Sequence, residues 1–202
     1  NAYPVQGCSD IPHHLVAASS LQHAMLFEIA IAAGEQQLSG STSVDMDQAL
    51  TVAIARQRRH FDAKLPEKIT GVDREIIVRV AGNLTRMVGD VSSRFGNKIV
   101  RAPQIPGYQW ISSGSGDFGC GQQLIEVKCT NKIFSSSDYR QVMMYWLLSY
   151  ASAIEGKGEE WAGAILVNPR LNAIVEISFE RMIQVVGAGR SKVDILELFS
   201  SM

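Results

Sequence analysis

Apolar residues recur at helical spacing through the first half of the chain. Over residues 72–94 they fall three or four positions apart, which is typical of a helix with one buried face. Residues 14–37 are largely apolar and free of proline. Residues 45–64 open with a capping residue, Ser43 or Asp45, and stop before Pro66. The sequence therefore predicts three consecutive helices, the last of which ends at Gly96.

The pattern changes after Asn97 to short runs with the two-residue alternation of β-strands. Strands are predicted at residues 98–101 and 108–112, on either side of a turn at 103–107, then at 124–129, and in a hairpin formed by 162–167 and 173–177. Helices are predicted at residues 138–153, 179–186 and 192–199. This order predicts an α/β (α+β) fold, with a central mixed sheet flanked by helices. We assign residues 1–70 to a helical N-terminal lobe and residues 71–202 to the core.

Composition and charge do not single out a class of partner. Of the 202 residues 46% are hydrophobic and 19% are charged, and the formal net charge is -1, as in ordinary globular proteins. Three cysteines without metal-ligand spacing argue against a disulfide framework or a zinc site, and favour a reducing cytoplasm. Polar residues within 14–37, among them Gln22 and Glu28, argue against a membrane helix.

Acid-any-lysine tripeptides begin at three positions, Asp62, Glu126 and Glu155, so the tripeptide alone carries little information. Only Glu126 and Lys128 interrupt an otherwise apolar strand. Their side chains point to the same face, about 7 Å apart along the strand. A buried ion pair contributes little net stability, so the pair is better explained by a chemical role.

Asp117 lies nine residues before Glu126, across a glycine-rich segment of hairpin length. A hairpin would bring the two carboxylates together, and they would repel each other unless a cation lay between them. Mg²⁺ prefers a few carboxylate oxygens with water and a backbone carbonyl, for which Val127 is suitably placed. Lys128 would then position the attacking water or stabilise the developing charge. On the following helix, Gln141 and Tyr145 are four residues apart and share one face.

Three segments taken in order resemble the PD-(D/E)XK nuclease superfamily: residues 116–118, 124–128 and 140–145. The Gln-x-x-x-Tyr helix is similar to that of the branch with RecB-like nucleases and lambda exonuclease. The resemblance implies a restriction-endonuclease-like core, dependence on Mg²⁺ or Mn²⁺, and DNA as the expected substrate, with RNA left open. It implies that Asp117 and Glu126 bind metal together with the Val127 carbonyl, that Lys128 is catalytic, and that Gln141 and Tyr145 assist catalysis.

The resemblance also has departures and leaves a ligand to be found. No proline precedes Asp117. Members of the superfamily commonly carry a further acid or histidine on the helix before the first strand, where Glu75 is the best candidate and Asn83 lies nearer the strand. Glu75 is better explained as an acid at a helix N-terminus, where the helix dipole favours it.

Each of these residues also has a purely structural interpretation. Glu126 and Lys128 could form an ion pair on an edge strand, and Asp117 could be a turn residue. Gln141 could be a solvated helix position, and Tyr145 could belong to the core. The basic run at residues 56–60 could contact phosphate or form a solvated helix face.

At the level of function, the alternative to a nuclease is a catalytically silent module of the same fold that binds nucleic acid or serves in assembly. The helical N-terminal part and the start at Asn1 suggest an effector within a larger restriction or anti-phage defence assembly. The near-neutral charge is consistent with a protein partner or a homo-oligomer.

Overall fold

The computed structural model describes residues 1–57 and 68–201. Over these residues the chain is a mixed α/β protein with seven helices, a five-stranded sheet and a two-stranded sheet. The helices are α1 His13–Ala17, α2 His23–Leu38, α3 Met46–Gln57, α4 Gly71–Phe95, α5 Ser136–Ile154, α6 Phe179–Val186 and α7 Lys192–Ser200. The strands are β1 Ile99–Arg101, β2 Gln104–Ile105, β3 Gly114–Ser115, β4 Phe118–Cys120, β5 Gln123–Val127, β6 Gly163–Asn168 and β7 Ala173–Ser178.

The five-stranded sheet has the order β1-β4-β5-β6-β7, which puts β5 at its centre. β5 and β6 run parallel, with α5 as the connection between them, and the other neighbours are antiparallel. Side chains of β5 alternate between two hydrophobic clusters. Ile125 and Val127 pack with α4, whereas Leu124 packs with α5. The sheet is thus covered on both faces, and Glu126 points to the α5 side with Leu124.

Most predicted elements are confirmed, but the prediction is wrong between β1 and β4 and within the first predicted helix. Residues 108–112 do not form a strand, because the chain reverses there: Tyr108 and Ile111 form an isolated bridge and Gln109 has a φ of 53°. The predicted turn at 103–107 contains β2, which pairs with β3. The helix predicted at 45–64 begins as expected, with the Asp45 side chain accepting from Gln48 N, but residues 58–64 lie outside the described part of the chain.

The long helix predicted at 14–37 is divided into α1 and α2. The break lies at Ser19 and Ser20, whose hydroxyl groups donate to the carboxylate of Asp73 at 2.6 and 2.8 Å. Asp73 is completely buried and also forms a capping box with Thr70 at the start of α4. The backbone N–H of Ser20 also donates to Asp73 at 3.1 Å, and that of Leu21 donates to Ser19 Oγ at 3.1 Å, so side chains accept hydrogen bonds that a continuous helix would direct to its own carbonyls.

Replacing Asp73 with alanine is expected to destabilise the fold by about 3 kcal/mol, because a helix cap and charge-assisted hydrogen bonds are lost together. Burial raises the pKa of Asp73, but hydrogen bonds from Ser19, Thr70 and Ser20 outweigh it and hold the value at about 2. This contribution is present above the ordinary pKa of 3.8 and is lost as the pH falls towards 2. Urea unfolding at pH 7 measures the loss.

Asp194 provides a matched control, because it forms the same capping box with Ser191 at the exposed start of α7. Asp194→Ala is expected to cost clearly less than Asp73→Ala, because only an exposed helix cap is lost. Equal losses for the two variants would show that the hydrogen bonds from Ser19 and Ser20 add nothing.

Helix α2 packs along α4, so the predicted N-terminal lobe and the predicted core share one hydrophobic cluster. The contact is close at Gly34, where an added Cβ would lie 2.9 Å from Leu84 Cδ2 and 3.4 Å from Ala81 Cα. A domain boundary at residue 70 stays a prediction. Among the described helices, none is both long and apolar enough to cross a bilayer.

Candidate active site

A tight hairpin brings Asp117 and Glu126 together. β4 and β5 pair with Cys120 opposite Gln123, which leaves a two-residue turn that begins at Gly121. Gly121 has a φ of 57°, as the first position of such a turn requires. Glu126 lies on the central strand and is only 3% exposed, so its interpretation as an edge-strand residue is wrong.

The two acids face the same side of the sheet. Asp117 Oδ2 accepts a hydrogen bond from Val127 N at 2.8 Å, and Glu126 Oε1 accepts one from Asp117 N at 3.3 Å. Gly116 makes this approach possible, because a Cβ there would lie 2.6 Å from Leu124 Cδ1 and 3.1 Å from Glu126 Oε1. Asp117 is therefore more than a turn residue: it is fixed against the strand that carries Glu126.

Helix α5 supplies two polar side chains to this pair. Lys128 Nζ lies 3.6 Å from Glu126 Oε2 and donates to Gln141 Oε1 at 2.7 Å. Gln141 Nε2 lies 3.1 Å from both Glu126 Oε2 and Tyr145 Oη. Gln141 thus links the lysine, the acid and the tyrosine, with its carbonyl towards the ammonium and its amide towards the carboxylate. We call these five residues, Asp117, Glu126, Lys128, Gln141 and Tyr145, the acid–lysine cluster.

The two carboxylates of the acid–lysine cluster are harder to ionise than usual. Burial and, after it, the charge of Asp117 together raise the pKa of Glu126 to about 7, although Lys128 opposes the increase. Burial also raises the pKa of Asp117, although the hydrogen bond from Val127 counteracts it. Asp117 retains accessible surface, which faces the cavity, while the surrounding protein still desolvates its carboxylate. The pair therefore carries negative charge that nearby groups only partly compensate.

The acid–lysine cluster lines a cavity of about 440 Å³. Several charged residues of this cavity were not predicted from the sequence. Two acids of α2, Glu28 and Glu35, line the same cavity. Arg56 Nη1 lies 3.0 Å from Glu28 and Arg56 Nη2 lies 2.7 Å from Glu35, while Arg101 Nη2 lies 2.6 Å from Glu35. Glu28 and Glu35 are seven residues apart, which puts both on one face of a largely apolar helix. That spacing is the feature of the sequence from which these two acids could have been identified.

Glu75 is not brought to this cavity. It is exposed on α4 and pairs with Arg79, 3.4 Å away and one helical turn along. Its prediction as a metal ligand finds no support, because it lies near the start of α4, the end furthest from β1. Asn83 is buried, and its amide donates to the carbonyls of Ser9 and Pro169, which is a structural role. Of the basic run at 56–60, the described residues include Arg56 and Gln57.

The donor set at the acid–lysine cluster suits a hard divalent cation that keeps several water ligands. No group of three or more His, Cys, Asp or Glu side chains that could hold a metal ion is found within residues 1–57 and 68–201. Two carboxylates, Asp117 and Glu126, do converge on the cavity. Mg²⁺ is usually bound by one or two carboxylates with water completing an octahedron. The mutual repulsion that raises the pKa of Glu126 is what a cation would relieve.

No protein-family model matches the chain, and no match was found among curated proteins or solved structures. The candidate site is therefore defined by its own geometry. Within a mixed α/β fold, two carboxylates, an ammonium group and an orienting amide meet beside one cavity.

Proposed function

We propose that this chain is a metal-dependent nuclease that hydrolyses phosphodiester bonds of DNA, with a core of the restriction-endonuclease type. The observation that carries the proposal is the convergence of Asp117, Glu126 and Lys128 on one cavity, with Gln141 bonded to both Glu126 and Lys128. A buried ion pair on a central strand costs desolvation energy that its own attraction rarely repays. A catalytic use explains why such a cluster is there.

Mg²⁺ or Mn²⁺ would be held by the carboxylates of Asp117 and Glu126, with the Val127 carbonyl as a further donor. When bound, such an ion polarises a phosphate and makes water more acidic. The protein's part is to keep both acids on one side of the sheet, which the β4–β5 hairpin does. It also keeps Glu126 largely shielded from bulk water. Electrostatic interactions are stronger in such a shielded place than in water.

Lys128 would act directly on the reacting groups. Its ammonium donates to Gln141 and stays within 3.6 Å of Glu126, so its position is set before substrate arrives. From there it can orient the attacking water or stabilise negative charge on the phosphate. Gln141 and Tyr145 are positioning residues in this scheme: Gln141 holds Lys128 and Glu126 through hydrogen bonds, and Tyr145 accepts a hydrogen bond from Gln141.

Two arginines at the cavity favour a polyanionic substrate. Arg56 and Arg101 line the same cavity, and each pairs with Glu35. Both side chains retain more than a third of their accessible surface, at 38% and 48%. Guanidinium groups recognise phosphate well because they can donate two parallel hydrogen bonds. Binding through them should weaken as salt concentration rises.

A cleavage assay tests the proposal. The protein is incubated with linear and closed circular DNA, single- and double-stranded, and with RNA, in Mg²⁺, in Mn²⁺ or in chelator. We expect DNA to be cut with either metal and not with chelator, and products from closed circles would identify an endonuclease. Absence of cleavage on every substrate, together with no Mg²⁺ or Mn²⁺ binding by calorimetry, would instead indicate a silent nucleic-acid-binding or assembly module.

A further inference from the structure

A second cavity, of about 480 Å³, lies beside the candidate active site and is not used by the proposed chemistry. It is bounded by β2, by the end of α5 and by the segment that leads into β6. Its walls combine apolar, amide and hydroxyl groups, contributed by Pro103, Ile105, Gln104, Gln122, Ser152 and Trp161. We call it the Trp161 cavity.

The Trp161 ring is held in place but only partly buried. Trp161 N donates to Ser149 Oγ at 3.2 Å, and the preceding residue, Glu160, accepts from Trp146 Nε1 at 2.8 Å and from Lys192. The ring lies close to Gly119, where an added Cβ would be 3.3 Å from Trp161 Cη2 and 3.5 Å from Pro103. The backbone of Trp161 is therefore anchored and the edge of its ring lies near Gly119, while the half-buried ring keeps accessible surface on which a planar group can stack.

The two cavities are neighbours. Ala102 lines the cavity of the acid–lysine cluster and Pro103, the next residue, lines the Trp161 cavity. Helix α5 runs past both: Gln141 and Tyr145 line the first, and Ser149 and Ser152 line the second. These positions are separated by four, four and three residues, so they form one stripe along the helix. At 1.5 Å per residue, Tyr145 and Ser152 are about 10 Å apart along the axis.

We propose that the Trp161 cavity binds a nucleobase of the substrate strand close to the bond that is cut. This inference rests on the proposed nuclease function and specifies its substrate, which must offer an unpaired base at that position. Bases stack on aromatic side chains whatever their identity, and side-chain amides such as those of Gln104 and Gln122 hydrogen-bond base edges. Lys157, Glu159 and Glu160 also line the cavity, but Lys157 is paired with Glu155 and Glu160 with Lys192, so the lining has no uncompensated positive charge that would favour a phosphate over a neutral base.

The test compares two oligonucleotides of equal length and charge, one of thymidine nucleotides and one made only of abasic nucleotides. Affinity is measured by fluorescence anisotropy in chelator, so that no cleavage occurs. We expect the parent to bind the thymidine strand about tenfold more tightly than the abasic strand, from one base stacked on an aromatic ring. Trp161→Ala should remove this preference and leave abasic binding unchanged, whereas Trp161→Phe should retain most of it.

Two further variants keep the test decisive. Trp110 is a 59% exposed tryptophan outside the cavity, so Trp110→Ala should behave like the parent. Gln104 is exposed on β2, and Gln104→Ala should weaken thymidine binding a few-fold without affecting the core, even if Trp161→Ala fails to fold. Equal affinity of the parent for both strands, or equal losses for the two tryptophan variants, would overturn the inference.

The failure of this inference can be told apart from failure of the nuclease proposal. If the parent cuts DNA with Mg²⁺ but binds both strands equally, the nuclease proposal stands and the base site is wrong. If the parent neither cuts nor binds DNA, both are wrong.

Discussion

Replacing Glu126 with glutamine is expected to lower the rate of metal-dependent DNA cleavage by roughly a thousandfold, the loss typical of removing one preorganised electrostatic group. The amide has nearly the shape of the carboxylate but cannot supply the negative charge that a cation needs. Asp117→Asn and Lys128→Met are expected to have losses of similar size. Binding of DNA in chelator should change little, because the arginines of the cavity are untouched.

The chain contains its own matched control for this experiment. Glu155 and Lys157 form the same acid-any-lysine tripeptide and are hydrogen-bonded at 2.7 Å, but both are exposed at the end of α5. Glu155→Gln is expected to cut DNA at the rate of the parent. Initial rates on a labelled substrate, at saturating Mg²⁺, measure both variants. A Glu126→Gln protein as active as the parent would exclude Glu126 from catalysis.

The second large effect concerns the pH dependence of stability. The pKa of Glu126 in the folded chain is about 7, against an ordinary value of 4.5, because burial and the charge of Asp117 disfavour its ionised form. Between these two values the folded state binds more protons than the unfolded state. The free energy of unfolding therefore falls as the pH rises from about 4.5 to 7. A shift of this size corresponds to at most about 3 kcal/mol.

Glu126→Gln removes this titration. The free energy of unfolding of the variant should therefore change less with pH than that of the parent between about pH 5 and pH 8, a range that includes most of the interval between the two pKa values. At pH 8 the variant should be more stable than the parent. Urea unfolding at four pH values measures both proteins, and the range avoids Asp73, which titrates near 2. Mg²⁺ should raise the stability of the parent at pH 8 and leave the variant unchanged. Parallel pH profiles for the two proteins would show that ionisation of Glu126 does not destabilise the folded state.

Local pattern was enough to predict much of the fold and the centre of the candidate site. The helix at 72–94 and the hairpin that became β6 and β7 follow from spacing of apolar residues, because each element buries one continuous face. Glu126 and Lys128 could be identified because charged side chains in an apolar strand are conspicuous. Asp117 could be paired with them because it lies nine residues before Glu126, across a glycine-rich segment that can close a hairpin.

Contacts between residues far apart in the chain determined other features of the fold and of the candidate site. The break between α1 and α2 depends on a hydrogen bond between Ser19 and Asp73, 54 residues apart. Glu35 reaches the cavity because Gly34 lets α2 lie close against α4. Glu75, the acid expected there, is on an exposed face.

The amino-acid sequence by itself determined most of the helices and strands and which strand carries the charged pair, since these depend on residues a few positions apart. The tertiary structure decided which other acids and arginines surround that pair. Their positions depend on how whole helices pack against one another, and that packing is set by many weak contacts between residues far apart in the chain.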